Sequence, residues 1–291
     1  MIEVSIQGGL GNQLFQYASA YSISRYFNQE MVQDVSFFDK QSLRGYKLNQ
    51  LQLKCSKKTA SSEYKDQCVL VSNKIMNYLL RRMNHRTIKR ENCIYWLDEL
   101  PEKMFSTNIL NAYMDGYFQS YLYFEKYRTD LIEQIRPIYE KESEYKVVLE
   151  QIKGQNAIAV HVRRGDFKLA QKDVSGFHYL LTEQYYHNAL KYISEKLNNP
   201  VFFWFSDDID WVKQNFGEKD NFQFVNLHTK HADIDEMMLM KNCKHIVAAN
   251  STFSWWASWL NEYDDALHIC PAKRYGNVNM IPENWIKIAV E

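Results

Sequence analysis

A short apolar run that ends in two arginines, Asn156 to Phe167 (NAIAVHVRRGDF), constrains this chain more than any other stretch. Ala157, Ile158, Ala159, Val160 and Val162 follow a Lys153-Gly154-Gln155 turn signal and are too few for a helix, so they read as a buried central strand. The strand runs out into His161, Arg163, Arg164, Gly165 and Asp166. Two adjacent guanidiniums at the end of a buried strand are costly unless something anionic meets them. In open α/β sheets, ligands bind beyond the carboxyl ends of the strands. One reading is a diphosphate held at this edge, with Gly165 letting the backbone approach. The other is an arginine pair bridging structural carboxylates. The run alone leaves both open.

The second half of the chain repeats strand and helix. Strands are expected at 157–162, 201–205, 222–225, 245–249 and 266–270, with helices at 183–197, 209–216, 231–243 and around 257–260. That alternation predicts a parallel, doubly wound sheet. Three strands end in polar clusters: His161/Arg163/Arg164/Asp166, Ser206/Asp207/Asp208 and Asn250/Ser251/Thr252. In such a sheet they share one edge. The first half opens with its own strand (1–6), a glycine turn from Gly8 to Gln13, and a helical pattern up to Phe27; this is the layout of a nucleotide or phosphate loop without the full G-x-G-x-x-G fingerprint. Further strands are expected at 32–38 and 110–117, and helices at 69–80 and 123–135. The charged stretch 141–155 reads as the junction. The expected organisation is α/β: two Rossmann-like doubly wound domains, 1–150 and 151–291, facing across a cleft, with a last helix packing back on the first.

Composition narrows the function classes. The chain balances 35 basic against 35 acidic residues over 291 positions, which argues against a nucleic-acid binder. Five widely spaced cysteines with no CxxC fit free thiols in a reducing compartment. Met1 to Gly11 does not read as a leader, and no apolar run of about 18 residues is present. A cytoplasmic protein is expected. A basic stretch, Arg81, Arg82, His85, Arg86, Lys89 and Arg90, is either a solvated face or a peripheral contact with the inner membrane face.

Arg163 and Arg164 can neutralise a diphosphate without a metal. Ser251 and Thr252, opening a helix, suit phosphate oxygens. His161 and an acid at Asp235 or Glu236 can read a purine edge, since a carboxylate accepts from guanine N–H groups. This describes a nucleotide-sugar donor site. Two competitors stand beside it. Asp208-Ile209-Asp210 is a DxD triplet of the kind that holds Mg or Mn over a diphosphate. The 15% aromatic content also suits a non-catalytic carbohydrate-binding module.

Three motifs together, GGLGNQLFQYA (8–18), HVRRGDF (161–167) and NSTFSWWASWLN (250–261), resemble the bacterial α-1,2-fucosyltransferases of glycosyltransferase family 11; GYFQSYLYF (116–124), FSDD (205–208) and PENW (282–285) are also similar. The resemblance implies a GT-B-like fold, GDP-L-fucose as co-substrate, no metal or other cofactor, inversion at the anomeric carbon, and transfer to the 2-hydroxyl of a galactose-containing glycan in surface-glycan synthesis. It places Arg163 at the donor's β-phosphate and His161 near guanine. Asp207 and Asp208 become the paired acids of the donor site, and Asn250, Ser251, Thr252 and Phe253 its phosphate turn. Either Asp235 or Glu236 faces the base. Gly9, Gly11 and Asn12 match a loop that closes over the donor. Asp166 is a candidate base, with Asp115 beside it as an alternative, and Asp115, Tyr117 and Gln119 are candidate acceptor contacts.

Overall fold

In the computed structural model, which describes residues 1–40, 45–55, 57–59, 87–89, 93–97, 99–106, 111–165, 179–272 and 280–290, the chain divides into two units, Met1–Ile138 and Tyr139–Glu291. The charged stretch 141–155, expected as a junction, lies inside the second unit and holds a helix, Ser143–Lys153, that buries Tyr145 and Ile152.

The first unit is built on strands β1 (Ile2–Ser5), β2 (Met31–Asp34), β3 (Lys57–Thr59), β4 (Thr87–Lys89), β5 (Ile94–Leu97) and β6 (Ala112–Asp115). Their order is β3-β2-β1-β6-β5-β4, and only the β4–β5 pair is antiparallel. Helix α1 (Leu10–Tyr26) starts directly from the glycine turn and is buried almost all round. A helix without a solvated face belongs to a core. Its polar residues Gln13, Gln16, Ser19 and Ser22 are therefore interior.

Two expectations fail here. The second strand stops at Asp34, short of Phe38, because the Asp34 carboxylate accepts the Ser36 N–H (2.9 Å) and turns the backbone into a 3₁₀ helix, Ser36–Lys40. The helix expected over 123–135 is two 3₁₀ turns, Tyr121–Tyr123 and Glu125–Tyr127, followed by helix α2 (Arg128–Gln134). Ser120 begins the break by accepting the Leu122 N–H.

The second unit has β7 (Ala157–Val162), β8 (Val201–Ser206), β9 (Phe222–Val225), β10 (His245–Val247), β11 (His268–Pro271) and β12 (Ile286–Ile288), all parallel, in the order β12-β11-β10-β7-β8-β9. Counted from β7 as strand one, that is 3-2-1-4-5-6, the dinucleotide-binding order. The winding direction reverses between β7 and β10. Helices α3 (Glu183–Lys196), α4 (Ile209–Phe216), α5 (Ala232–Asn242) and α6 (Thr252–Trp259) alternate with the strands. β12 corrects the expectation of a last helix: residues 286–288 pair in parallel with β11 inside this unit. Trp255 anchors the segment before it by donating its indole N–H to the Met280 carbonyl (2.8 Å).

Cys55, Cys243 and Cys270 are free thiols. Cys93 is disulfide-bonded, which corrects the expectation that all five are free; Cys68 lies outside the described residues. No described helix is long and apolar enough to cross a membrane. The helix expected over 69–80 and the side chains of the basic 81–90 stretch lie outside the described residues.

Candidate active site

Residues from the ends of three strands lie at the carboxyl edge of the second sheet, where β7, β8 and β10 stand side by side. His161 is the penultimate residue of β7, and its ring packs 5.4 Å, centroid to centroid, from Phe253 in the first turn of α6. Burial, with Arg163 adding to it, pushes the His161 imidazole down to about 3, so the ring is neutral across the physiological range. Its Nδ1 is buried with no hydrogen-bond partner among the described residues. Asn250, after β10, is buried and donates to the Tyr179 carbonyl (2.7 Å). Ser251 is the N-cap of α6 and accepts the Phe253 N–H on its hydroxyl (3.3 Å), leaving Thr252 at the first helical position. This places His161, Asn250, Ser251, Thr252 and Phe253 at the point where strand order reverses, the ligand-binding position of such sheets.

Each guanidinium meets an aspartate of the next strand end. Arg163 pairs with Asp207 (2.8 Å) and Arg164 with Asp208 (3.3 Å). Asp207 also accepts the backbone N–H groups of Arg164 (2.8 Å) and Gly165 (3.0 Å), so one carboxylate holds the whole 163–165 turn. Gly165 permits this: a Cβ there would lie 2.7 Å from Asp207 Oδ2. Arg164 is further committed by stacking 3.7 Å over the Trp211 ring on α4. The reading of an arginine pair bridging structural carboxylates is thus met at both positions, Arg163 with Asp207 and Arg164 with Asp208. Arg163, with its side chain 26% exposed, is the more solvent-accessible of the two. Asp208, the first acid of the DxD triplet, is held by Arg164, and the described residues contain no cluster of three or more metal-ligating side chains.

The two acids on α5 separate cleanly. Asp235 is completely buried and accepts from Tyr139 Oη (2.8 Å), Thr229 Oγ1 (2.7 Å) and Lys141 Nζ. Three internal donors already engage its carboxylate, which makes it the less available of the two acids. Glu236 accepts only a long bond from the Leu227 N–H (3.4 Å) among its described contacts. Burial pushes its carboxyl up to about 7, with Asp233, Asp207 and Asp235 adding to the rise. The folded chain therefore holds this proton at a pH where the unfolded chain has released it. The neutral acid's contribution to stability is complete below the ordinary carboxylate value and falls as pH rises toward 7. Glu236→Gln removes the titration while keeping the oxygen that takes the Leu227 N–H. We expect the variant's melting temperature relative to the parent to climb between about pH 5 and pH 8. A difference that is flat with pH, in paired thermal melts, would refute this.

The first unit carries its own constellation at the carboxyl edge of β1 and β6. Gly8 (φ 79°) and Gly9, the N-cap of α1, form the turn. Two buried glutamines, missed by the sequence reading, lock it. Gln13 donates to the carbonyls of Gly8 (2.9 Å) and Gly45 (3.0 Å) and accepts the Lys47 N–H (2.9 Å). Gln16 accepts the Gln7 N–H (2.9 Å) and donates to the Gly116 carbonyl (3.0 Å). Gly11 is buried in the first turn of α1; Asn12 accepts from Gln119 Nε2 (2.9 Å). Asp115 ends β6 and accepts from Tyr95 Oη (2.5 Å), and Tyr117 is exposed beside it. The signal for the glutamines was their i, i+3 spacing straight after the glycines; the signal for Trp211 was an aromatic within reach of a strand-end arginine. Asp166 lies outside the described residues.

Comparison with known proteins adds four findings. The sequence profile described as glycosyl transferase family 11 matches residues 1–286. An alpha-1,2-colitosyltransferase of Escherichia coli is 30% identical over 99% of both chains. An O-antigen biosynthesis glycosyltransferase, WbnK, of the same species is 29% identical over 97% of this chain and 99% of the other. Among solved structures, the alpha-1,6-fucosyltransferase NodZ soaked with GDP-fucose superposes with a TM-score of 0.55 at 14% identity, covering 89% of this chain and 92% of that one, so the fold is shared.

Proposed function

Because the chain belongs to glycosyl transferase family 11, we propose that it moves L-fucose from GDP-L-fucose to the 2-hydroxyl of a β-galactoside-type glycan, with inversion and without a metal. The observation that carries this reading is the rim of the second unit: Arg163 follows β7 and the capped N-terminus of α6 follows β10, and these two strands pair side by side at the switch point of a dinucleotide-type sheet. Helix N-termini and guanidiniums both favour phosphate oxygens. As the glycosidic bond breaks, negative charge grows on the departing diphosphate. A cation already in place stabilises that charge more than it stabilises the bound donor, which lowers the barrier. His161, kept neutral by burial, offers a hydrogen bond without adding a second charge. Glu236 is the acid left to read guanine; its N–H donors would favour the carboxylate form. Asn12, Gly9 and Gly11 remain candidate donor contacts, and Asp166 or Asp115 is the candidate base for the acceptor's proton.

A colitosyl donor is the second reading, favoured by the relative that is 30% identical over 99% of the chain. A carbohydrate-binding module without catalysis has no comparable support. Incubation with GDP-L-fucose and a panel of galactose-terminated acceptors, with linkage read from the product, tests the proposal; GDP-colitose in parallel separates the two donors, and EDTA tests the metal. Transfer that is lost in EDTA and restored by Mn would overturn the metal-free claim. GDP should also raise the melting temperature by several degrees, since ligand at about 100 times Kd stabilises by roughly 2.7 kcal/mol. UDP and CDP should shift it less, and equal shifts from all three would remove the guanine assignment.

A further inference from the structure

Resting on that reading, we infer that Tyr117 is the platform on which the acceptor's sugar ring stacks. The backbone is distorted on both sides of this residue. Gly116 has φ 140° and Phe118 has φ 48°. The left-handed region is rare for a bulky aromatic residue, and such distortion persists only where surrounding structure enforces it. The enforcement is visible. Phe118 is 1% exposed and packs edge-on against Tyr123 (5.7 Å). Its carbonyl accepts the Ser120 N–H (2.9 Å) and the Ser19 hydroxyl (3.4 Å). The Gly116 carbonyl is held by the buried Gln16. Everything around Tyr117 is pinned, yet Tyr117 itself is 39% exposed.

Its position is equally constrained. A Cβ on Gly8 would meet Tyr117 Cε1 at 3.5 Å and Asn12 Nδ2 at 3.0 Å, so the ring edge sits over the glycine turn. Asn12 is in turn held by Gln119, two residues beyond the tyrosine. The fold spends backbone strain to set one rigid aromatic ring at the carboxyl edge of β6, next to the carboxylate of Asp115. A pyranose presents C–H groups on one face and hydroxyls on its rim. A galactoside, whose 4-hydroxyl is axial, clears one face for an aromatic ring to cover. The ring thus suits the galactopyranoside acceptor of the proposed function.

Two measurements on the full chain test this, using Tyr117→Ala and Tyr117→Phe. In steady-state transfer, Tyr117→Ala should raise the acceptor KM by about tenfold or more while the donor KM moves less than about twofold; Tyr117→Phe, which keeps the ring, should stay near the parent. In saturation-transfer difference NMR with methyl β-D-galactopyranoside, the parent should give signals on the ring C–H protons that Tyr117→Ala loses and Tyr117→Phe keeps. An acceptor KM unchanged in Tyr117→Ala overturns the platform, as does the absence of any galactoside signal with the parent chain. Galactoside signals that depend on Tyr117 in a chain that transfers nothing from GDP-L-fucose would keep the platform and sink the functional reading instead.

Discussion

Arg163→Ala should cut kcat/KM for transfer by about 10²–10³-fold, the loss that follows removal of one preorganised charge-stabilising donor. The same variant should melt within a degree or two of the parent. Its pairing with Asp207 is partly solvated, with both side chains about one-quarter exposed, and such pairs contribute roughly 0–1 kcal/mol. Asp207 does not become an orphan either, because the N–H groups of Arg164 and Gly165 still reach it. Catalysis and stability should therefore separate at this residue. Arg163→Lys keeps the charge but loses the planar fork, so it should recover part of the activity and not all. Arg164→Ala should behave oppositely: its guanidinium is mostly covered, paired with Asp208 and stacked on the Trp211 ring, so its loss should lower the melting temperature. An Arg163→Ala enzyme that keeps most of its turnover, measured under saturating acceptor, would remove the donor site from this rim.

What could be read from sequence alone followed a physical line. The run 157–162 is apolar, β-branched and too short for a helix, and it became the central strand of a parallel sheet with little ambiguity. The clusters ending β7, β8 and β10 were expected on one edge, and parallel pairing places them there. The reading failed where distant residues decide. Asp235 and Glu236 are neighbours on one helix. Which one is consumed depends on Tyr139 and Lys141, nearly a hundred positions earlier. No local pattern encodes that. Gln13 and Gln16 look like the polar face of a surface helix, yet both are buried and hold the carbonyls and amides of the surrounding loops. β12 was missed for the opposite reason: three residues of strand carry too little periodicity to be seen.

The second large effect belongs to Asp207, whose carboxylate holds the turn that carries the arginines. Its Oδ1 accepts the Arg164 N–H, and its Oδ2 accepts both the Gly165 N–H and the Arg163 guanidinium. Every approach to this carboxylate is therefore a donor. Asp207→Asn turns one oxygen into an NH₂ group, so whichever way the amide faces, a donor meets a donor. A polar group left without its partner typically costs about 1–3 kcal/mol, so the melting temperature should fall by several degrees. The turn that aims Arg163 should loosen, and kcat should drop by about 10–100-fold, since small displacements of a charge-stabilising group are expensive. Gly165→Ala attacks the same contact from the other side. Its Cβ would press to 2.7 Å from Asp207 Oδ2, so the carboxylate must give way without losing its charge. Both variants should lose kcat more than donor KM, and combined with Arg163→Ala they should add little further loss, because the turn matters only through the guanidinium it positions. Losses that multiply in the double variants would mean Asp207 touches the donor itself.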